Sequence, residues 1–360
     1  MSIHEIPSLF PHNHASNILP ISNGDLLCVW FGGSREGKAD ISIQCSRLKR
    51  GSGVWEAPVV LSDDPTRSEQ NPILFENAPG ELWLIYTAQE GIRQESAVVR
   101  MRKSYDYGQT WTPVEPLFEE PGIFVRNPPV RLRNGDLLLP AYYCLKSESG
   151  FLGEDYSVVK ISKDDGKTWE EYGIEGSRGL VHMSAVVLSD GGIKGFFRSR
   201  MADAIYTCSS KDNGRTWTKP VPTSLPNNNA SIQCTKLKNG HLAMVFNNIN
   251  AEQAPPKTAA PPWFDKKDIA DIEAGTKSKP ISVWGVIRAP LCVAISEDEG
   301  ETWGHVRNLV TREGFEGEPE FSYPSIKQSE DGKLQVTFTY LRKYIRYEVV
   351  DEDWVKDPIG

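Results

Sequence analysis

The 360-residue chain lacks a long apolar run, a cluster of basic residues, and any cysteine spacing of the disulfide or metal-ligand kind. The first absence excludes a membrane-spanning helix, which needs about twenty consecutive apolar residues. A formal net charge of −8, with no basic stripe beside the aromatics, argues against nucleic acid or an anionic membrane as partner. The six cysteines fall mostly in apolar, strand-like segments and are read as reduced packing residues. The stretch MSIHEIPSLFPHNHAS has neither a positive start nor an apolar core of leader length, so a cytoplasmic location is expected.

What the chain has is repetition. From His12 to Trp55 run an apolar strand, a turn at Asn23-Gly24, a second strand (Leu26–Phe31), a polar loop, a third strand and a turn ending on Trp55. Short anchors open the corresponding units at His14 (HAS), Gln70 (QNP), Arg126 (RNP), His182 (HMS), Asn229 (NAS) and Tyr323 (YPS). The first four lie 56 residues apart; the fifth follows after 47 and the sixth after 94. A turn glycine comes about ten residues after each, at Gly24, Gly80, Gly135, Gly192, Gly240 and Gly332. A tryptophan closes five of the units, at Trp55, Trp111, Trp169, Trp217 and Trp303. Several short strands per repeat of this length point to propeller blades. Six anchors predict an all-β, six-bladed β-propeller occupying residues 1–360 as one domain. Ring closure requires one more strand, near Ile3–Phe10 or Val349–Trp354. Blade five is interrupted by an insertion over residues 250–285, whose segment DKKDIADIEAG has the pattern of one short helix. Insertions of this length serve as lids or homo-oligomer contacts, or are passive excursions.

Four closing turns share one pattern: SYDYGQTW (104–111), SKDDGKTW (162–169), SKDNGRTW (210–217) and SEDEGETW (296–303), all S-x-D-x-G-x-T-W. Aspartate accepts from the turn's own amides, glycine supplies positive φ, and tryptophan packs between adjacent sheets. This is the Asp-box (BNR repeat) signature, and the chain resembles the sialidase (neuraminidase) superfamily over nearly its whole length. The boxes themselves are scaffold turns and carry no chemistry.

In a propeller, the starts of the inner strands and the loops after the second strands converge on one mouth. That convergence is expected to gather His14, Gln70, Asn71, Arg126, Asn127, His182, Asn229 and Tyr323, with Arg35, Asp40, Gln89, Tyr143, Arg198, Asn247 and Arg342 around them. With six blades, His14 and His182 would face each other across the axis. A polar pocket is the functional reading. The plain alternative is a channel lining that only satisfies backbone groups.

The resemblance implies roles for some of these residues. The family's acid/base aspartate lies in the loop after the second strand of blade one, where Arg35-x4-Asp40 stands. Its tyrosine nucleophile opens the last blade, as Tyr323 does, with Glu318 and Glu320 close in sequence. Arg288, eight residues before Ser296, resembles one arginine of the carboxylate-binding triad, and Arg198 is read as a second. Guanidinium forks suit a carboxylate. The chain departs from the pattern in two places: His14-Ala15-Ser16 stands where Arg-Ile-Pro opens blade one, and blade four has His182-Met183-Ser184 in place of the glutamate that polarises the tyrosine.

Three readings follow. The first is exo-acting hydrolysis of a terminal acidic or deoxy sugar, with Asp40 as acid/base, Tyr323 as nucleophile and Arg35, Arg198 and Arg288 as clamps. The second, by resemblance to propeller lyases that remove rhamnose from glucuronate, is β-elimination. There His14 or His182 would be the base and Arg126, Arg198 or Arg342 would hold the acid. The third is a non-catalytic glycan-binding propeller. An oligosaccharide or polysaccharide partner is common to all three. Propellers of this kind can carry an axial calcium, but no acidic loop has ligand spacing, so no metal or cofactor is expected.

Overall fold

Continuous apolar runs such as Leu26–Gly33 (LLCVWFGG) and Leu137–Tyr143 (LLLPAYY) are what strands become when both of their faces are covered. In the computed structural model, which describes residues 2–145, 154–255 and 282–357, these runs are the second strands of six antiparallel blades arranged in a ring. Strand β1 (Ser2–Ile6) precedes blade one, which comprises β2 (His12–Pro20), β3 (Leu26–Gly33), β4 (Ser42–Leu48) and β5 (Val59–Val60). Blade two is β6 (Ser68–Ala78), β7 (Glu81–Glu90), β8 (Arg93–Ser104) and β9 (Glu115–Phe118). Blade three has a divided inner strand, β10 (Ile123–Phe124) and β11 (Val130–Arg131), then β12 (Leu137–Tyr143), β13 (Tyr156–Ser162) and β14 (Glu170–Gly173). The division falls at Pro128-Pro129, which have no N–H for the ladder.

Blade four is β15 (Leu180–Val187), β16 (Ile193–Ser199), β17 (Ala204–Ser210) and β18 (Val221–Pro226). Blade five is β19 (Gln233–Lys236), β20 (Leu242–Asn247), β21 (Leu291–Ser296) and β22 (His305–Val310). Blade six is β23 (Phe321–Gln328), β24 (Leu334–Tyr340) and β25 (Tyr344–Val350), followed by helix α1 (Glu352–Lys356). The ring closes when β1 pairs with β25, from Ser2 opposite Val349 to Ile6 opposite Ile345, so both ends of the chain build the last blade. The helix expected in the insertion lies outside the described residues. All six cysteines are buried and unpaired. Among the described residues, no helix is long and apolar enough to cross a membrane.

Apolar clusters lie between neighbouring blades, and each closing tryptophan packs into one of them: Trp55 between blades six and one, Trp111 between one and two, and so on to Trp303 between four and five. In the S-x-D-x-G-x-T-W turns the aspartate works as anticipated. Asp106, for example, accepts from the Thr110 amide at 2.9 Å and the Thr110 hydroxyl at 2.6 Å. The turn glycines do more than permit positive φ. A methyl group on Gly166 would lie 2.4 Å from Cη2 of Trp83 on the preceding blade, and Gly108, Gly214 and Gly300 press on Leu27, Leu138 and Phe196 in the same way. Each turn therefore fastens its blade to the one before it. In blade four the left-handed position of the strand turn belongs to Gly191, not Gly192.

Candidate active site

Every fully formed inner strand bears a bulge at its start. The register slips between His14 and Asn17, Gln70 and Ile73, Val181 and Ser184, and Ser322 and Ser325. The first bulge residue is left-handed each time: Ala15 (φ 58°), Asn71 (51°), His182 (54°) and Tyr323 (48°), with Asn229 (58°) matching them in blade five. None of these is glycine, so each costs about 1–2 kcal/mol of backbone strain. The structural equivalents across blades are thus Ala15, Asn71, His182 and Tyr323. His14 and Gln70 stand one place earlier, level with Val181 and Ser322. His14 therefore does not face His182 across the axis as a paired pocket residue.

The bulges and the loops beside them surround a cavity of about 770 Å³, including its open mouth. Tyr323, His182, Arg198, Arg200, Arg288 and Arg342 line it together with Glu36, Gln70, Asn71, Gln89 and Gln94. Ile92, Phe124, Tyr142 and Trp284 complete the wall. Glu320, just behind, accepts from Arg288 Nη1 at 2.7 Å, Arg342 Nε at 2.9 Å and Ser322 Oγ at 2.7 Å. Burial pushes this carboxyl up, but the two guanidinium groups outweigh it and hold Glu320 at about 2. Arg342 also pairs with Glu36. Arg200 is held by Asp155, 2.9 Å from Nε and 2.7 Å from Nη2. Among the described residues Arg198 has no such carboxylate: Nε donates to Asn229 Oδ1 at 2.8 Å and Nη1 to the Tyr323 hydroxyl at 2.7 Å.

These charges set the titrating groups. Burial pushes the Tyr323 phenol up, yet Arg198 and Arg288 more than reverse it, leaving it below the ordinary 10. Burial first, then Arg198 and Arg200, push His182 well below 6.5, so its imidazole is neutral. Its Nε2 lies 2.9 Å from the Tyr142 hydroxyl, while Nδ1 is buried and has no partner among the described residues. Tyr142 is pushed upward by burial and stays a phenol.

Of the residues singled out from the sequence, Gln70, Asn71, Gln89, His182, Arg198, Arg288, Tyr323 and Arg342 line the cavity. Asn229 stands behind and steers Arg198. His14 is fully buried behind Tyr323, ring centroids 4.2 Å apart, with Nδ1 2.8 Å from Thr339 Oγ1 and Nε2 3.3 Å from Arg342. Three others are struts along the axis. Arg126 donates to the Ser16, Tyr323 and Pro324 carbonyls at 2.9–3.2 Å, and Asn127 to those of His182, Met183 and Ile232. Asn247 ties the Pro290 and Phe321 carbonyls. For these the channel-lining reading holds. Arg35 and Asp40 are exposed and do not line the cavity; Asp40 bends back on Ser34, capping its amide and hydroxyl at 3.0 Å each.

Three contributors, Glu36, Arg200 and Trp284, escaped the sequence reading, and a fourth, Glu320, was named there only as close in sequence to Tyr323. Glu36 belongs to the same SREGKAD loop as Asp40, and Glu320 sits three residues before Tyr323. Arg200 follows Arg198 at the two-residue spacing that keeps extended side chains on one face. Trp284 arrives on the return limb of the insertion, where Val283 N–H bonds the Arg200 carbonyl at 2.8 Å and Asn229 Nδ2 the Val283 carbonyl at 2.9 Å. Away from the cavity, His241, Glu297 and Glu352 place ligand atoms within 4.8 Å of one another, but Lys356 already pairs with both carboxylates. That group is an ion-pair latch for α1.

A closed ring of six blades with an arginine-rich mouth defines a propeller of the sialidase type. Residues 24–336 match the BNR repeat-like domain, and the chain belongs to that family. No curated protein matches it by sequence. Among solved structures, a Hadza microbial sialidase superposes with a TM-score of 0.72 at 15% identity, covering 96% of this chain and 66% of its own. The intramolecular trans-sialidase of Ruminococcus gnavus, in complex with oseltamivir carboxylate, gives 0.70 at 13% identity, with 97% and 96% covered. A protein of unknown function from Dyadobacter fermentans gives 0.72 at 14%, with 96% and 97% covered. At these identities the likeness is one of fold.

Proposed function

We propose that the protein is an exo-acting glycosidase that releases a terminal acidic sugar from a glycan. The observation that carries this is four arginines lining one cavity with a tyrosine whose phenol is pushed below its ordinary range. Guanidinium groups bind a carboxylate through paired N–H donors, which fixes the sugar's orientation. Tyr323 is the attacking group: its oxygen bonds the anomeric carbon as the glycosidic C–O bond breaks. Glu36, the only carboxyl among the described lining residues, gives its proton to the leaving oxygen. For that it must leave Arg342, which the substrate carboxylate takes over, and take up a proton from solvent. Water then attacks the anomeric carbon, Glu36 recovers a proton and Tyr323 is released. The neighbouring trans-sialidase fold and its carboxylate-bearing ligand agree with this reading.

One observation favours β-elimination as a second reading. His182 is neutral, faces Tyr323 at a ring-centroid distance of 5.6 Å and has a buried Nδ1 with no partner among the described residues. It could take the proton beside a uronate carboxylate that the arginines hold. Incubation with a sialyl glycan and with a rhamnosyl-glucuronate glycan, in isotopically labelled water, separates the readings. Hydrolysis gives a saturated free sugar carrying one labelled oxygen, and Tyr323→Phe abolishes it. Elimination gives an unsaturated, ultraviolet-absorbing uronate with no label, and His182→Ala abolishes it. Binding without any product would refute both and leave a glycan-binding propeller.

A further inference from the structure

Buried charges in folded proteins are paired, because an unpaired one keeps its full desolvation cost. Around the cavity this accounting closes for Arg200 with Asp155, for Arg288 with Glu320, and for Arg342 with Glu320 and Glu36. It fails for two side chains. Arg198 and Arg126 are each only 1% exposed, and among the described residues no carboxylate lies within ion-pairing distance of either. Both converge on one group. Arg198 Nη1 donates to the Tyr323 hydroxyl at 2.7 Å, and the Arg198 and Arg126 guanidinium carbons lie 5.6 and 5.4 Å from the Tyr323 ring centre.

We infer that Tyr323 is a phenolate in the resting protein and that Arg198 is its counter-ion, standing in for a carboxylate base. Arginine can only donate, so the phenol oxygen accepts from Nη1, and among the described residues no hydrogen bond takes up the phenol's own proton. The proton passes to bulk water, and the phenolate becomes the missing negative partner. The other charged or titratable groups around Tyr323 allow this. His14 and His182 are neutral neighbours on blades one and four, and Arg200 and Arg288 add positive charge from blades four and five. Burial and the Glu36 carboxylate oppose it. Blade four, which carries histidine at 182 rather than a glutamate, thus supplies activation through its second strand instead.

The arrangement has a consequence for ligands. Among the described residues Arg198 Nη2 is buried without a partner while Nη1 and Nε are engaged. A substrate carboxylate can therefore take Nη2 without displacing the phenolate. Arg198 is on this account a positioning residue for Tyr323, and a clamp only through its remaining N–H.

This deepens the reading of Tyr323 as the attacking group, but its test needs no substrate, so the two can fail separately. The near-ultraviolet absorbance of the free protein is titrated, and the Tyr323→Phe spectrum is subtracted; phenolate absorbs there and phenol does not. The expected difference is the absorbance of one phenolate per chain, already present at neutral pH. Arg198→Gln should move its midpoint upward by about one to three pH units, the usual effect of one close opposite charge. Arg198→Lys should restore most of the shift, and far-ultraviolet circular dichroism checks that each variant keeps the fold. A difference that develops only near the ordinary phenol value of about 10 overturns the inference. So does a midpoint that Arg198→Gln leaves in place.

Discussion

Glu320→Gln is the sharpest test of how the arginine cluster is held. The carboxylate accepts from Arg288, Arg342 and Ser322, and its side chain is only 15% exposed. Its folded value is about 2, against an ordinary 4.5. At about 1.4 kcal/mol per pH unit, that difference corresponds to ~3 kcal/mol of stability at neutral pH. The folded value is depressed, so the contribution is complete above 4.5 and is lost as pH falls toward 2. Roughly half of it should remain at pH 3. Glutamine keeps the volume but removes the charge, leaving Arg288 and Arg342 short of a partner, a loss that costs about 3–5 kcal/mol in buried pairs. Urea unfolding of both proteins at pH 7 and pH 3 measures the effect. The wild type should exceed the variant by ~3 kcal/mol at pH 7 and by about half that at pH 3. An equal difference at the two pH values would refute the linkage, and one below about 1 kcal/mol at pH 7 would refute the pairing itself.

Gly166→Ala should be costlier than an ordinary turn substitution, because its φ is 79° and the new methyl would sit 2.4 Å from Trp83. Strain plus overpacking should come to about 2–4 kcal/mol, read as a lowered thermal midpoint, whereas Gly135→Ala, with nothing within 4 Å, meets only the strain. Glu348 is fully buried on β25 beside Arg346, and burial pushes it up to about 7. A raised carboxyl costs stability as pH rises from 4.5 through 7, so Glu348→Gln should gain on the wild type between pH 5 and pH 8; a gap that does not widen over that range would contradict it.

The architecture was legible because its determinants are local. A turn that must be tight, a strand covered on both faces and a tryptophan between blades each need particular residues at fixed spacing, and five or six copies reinforce one another. That a strand near one terminus must complete the ring could be expected, though not which end supplies it, nor its register. The site was legible in outline only. Seven of its lining residues follow from the strand starts and the loops after second strands. The misreadings have one kind of cause: a side chain's direction is set by backbone geometry at single-residue precision. The bulge makes Ala15, not His14, the equivalent of Tyr323, and a one-residue slip in a strand exchanges faces. Asp40 and Glu36 share a loop, and the Ser34 amide captures the first while the second turns inward beside Arg342. Arg126 resembled a ligand-binding arginine in sequence, but carbonyls from blades one and six reach it first.

The bulges themselves show why so much of the chain is scaffold. Five non-glycine residues at positive φ, from Ala15 to Tyr323, carry about 5–10 kcal/mol of backbone strain between them, comparable to the whole net stability of a typical domain. Strain of that size persists only where the surroundings over-determine the backbone. Here the surroundings are the buried second strands on one side and the axial struts on the other. Arg126, Asn127 and Asn247 bond carbonyls on or beside the bulges, including those of Ser16, His182 and Tyr323. The closing turns lie at the opposite end of the blades, as the Tyr107 amide bonded to the Gly80 carbonyl at the first strand turn shows. They lock neighbouring blades without intruding on the mouth. Rigid fastening at one end lets the other hold His182, Asn229 and Tyr323 in conformations that their own side chains disfavour. On this argument the axial residues belong to the site as much as those that line it.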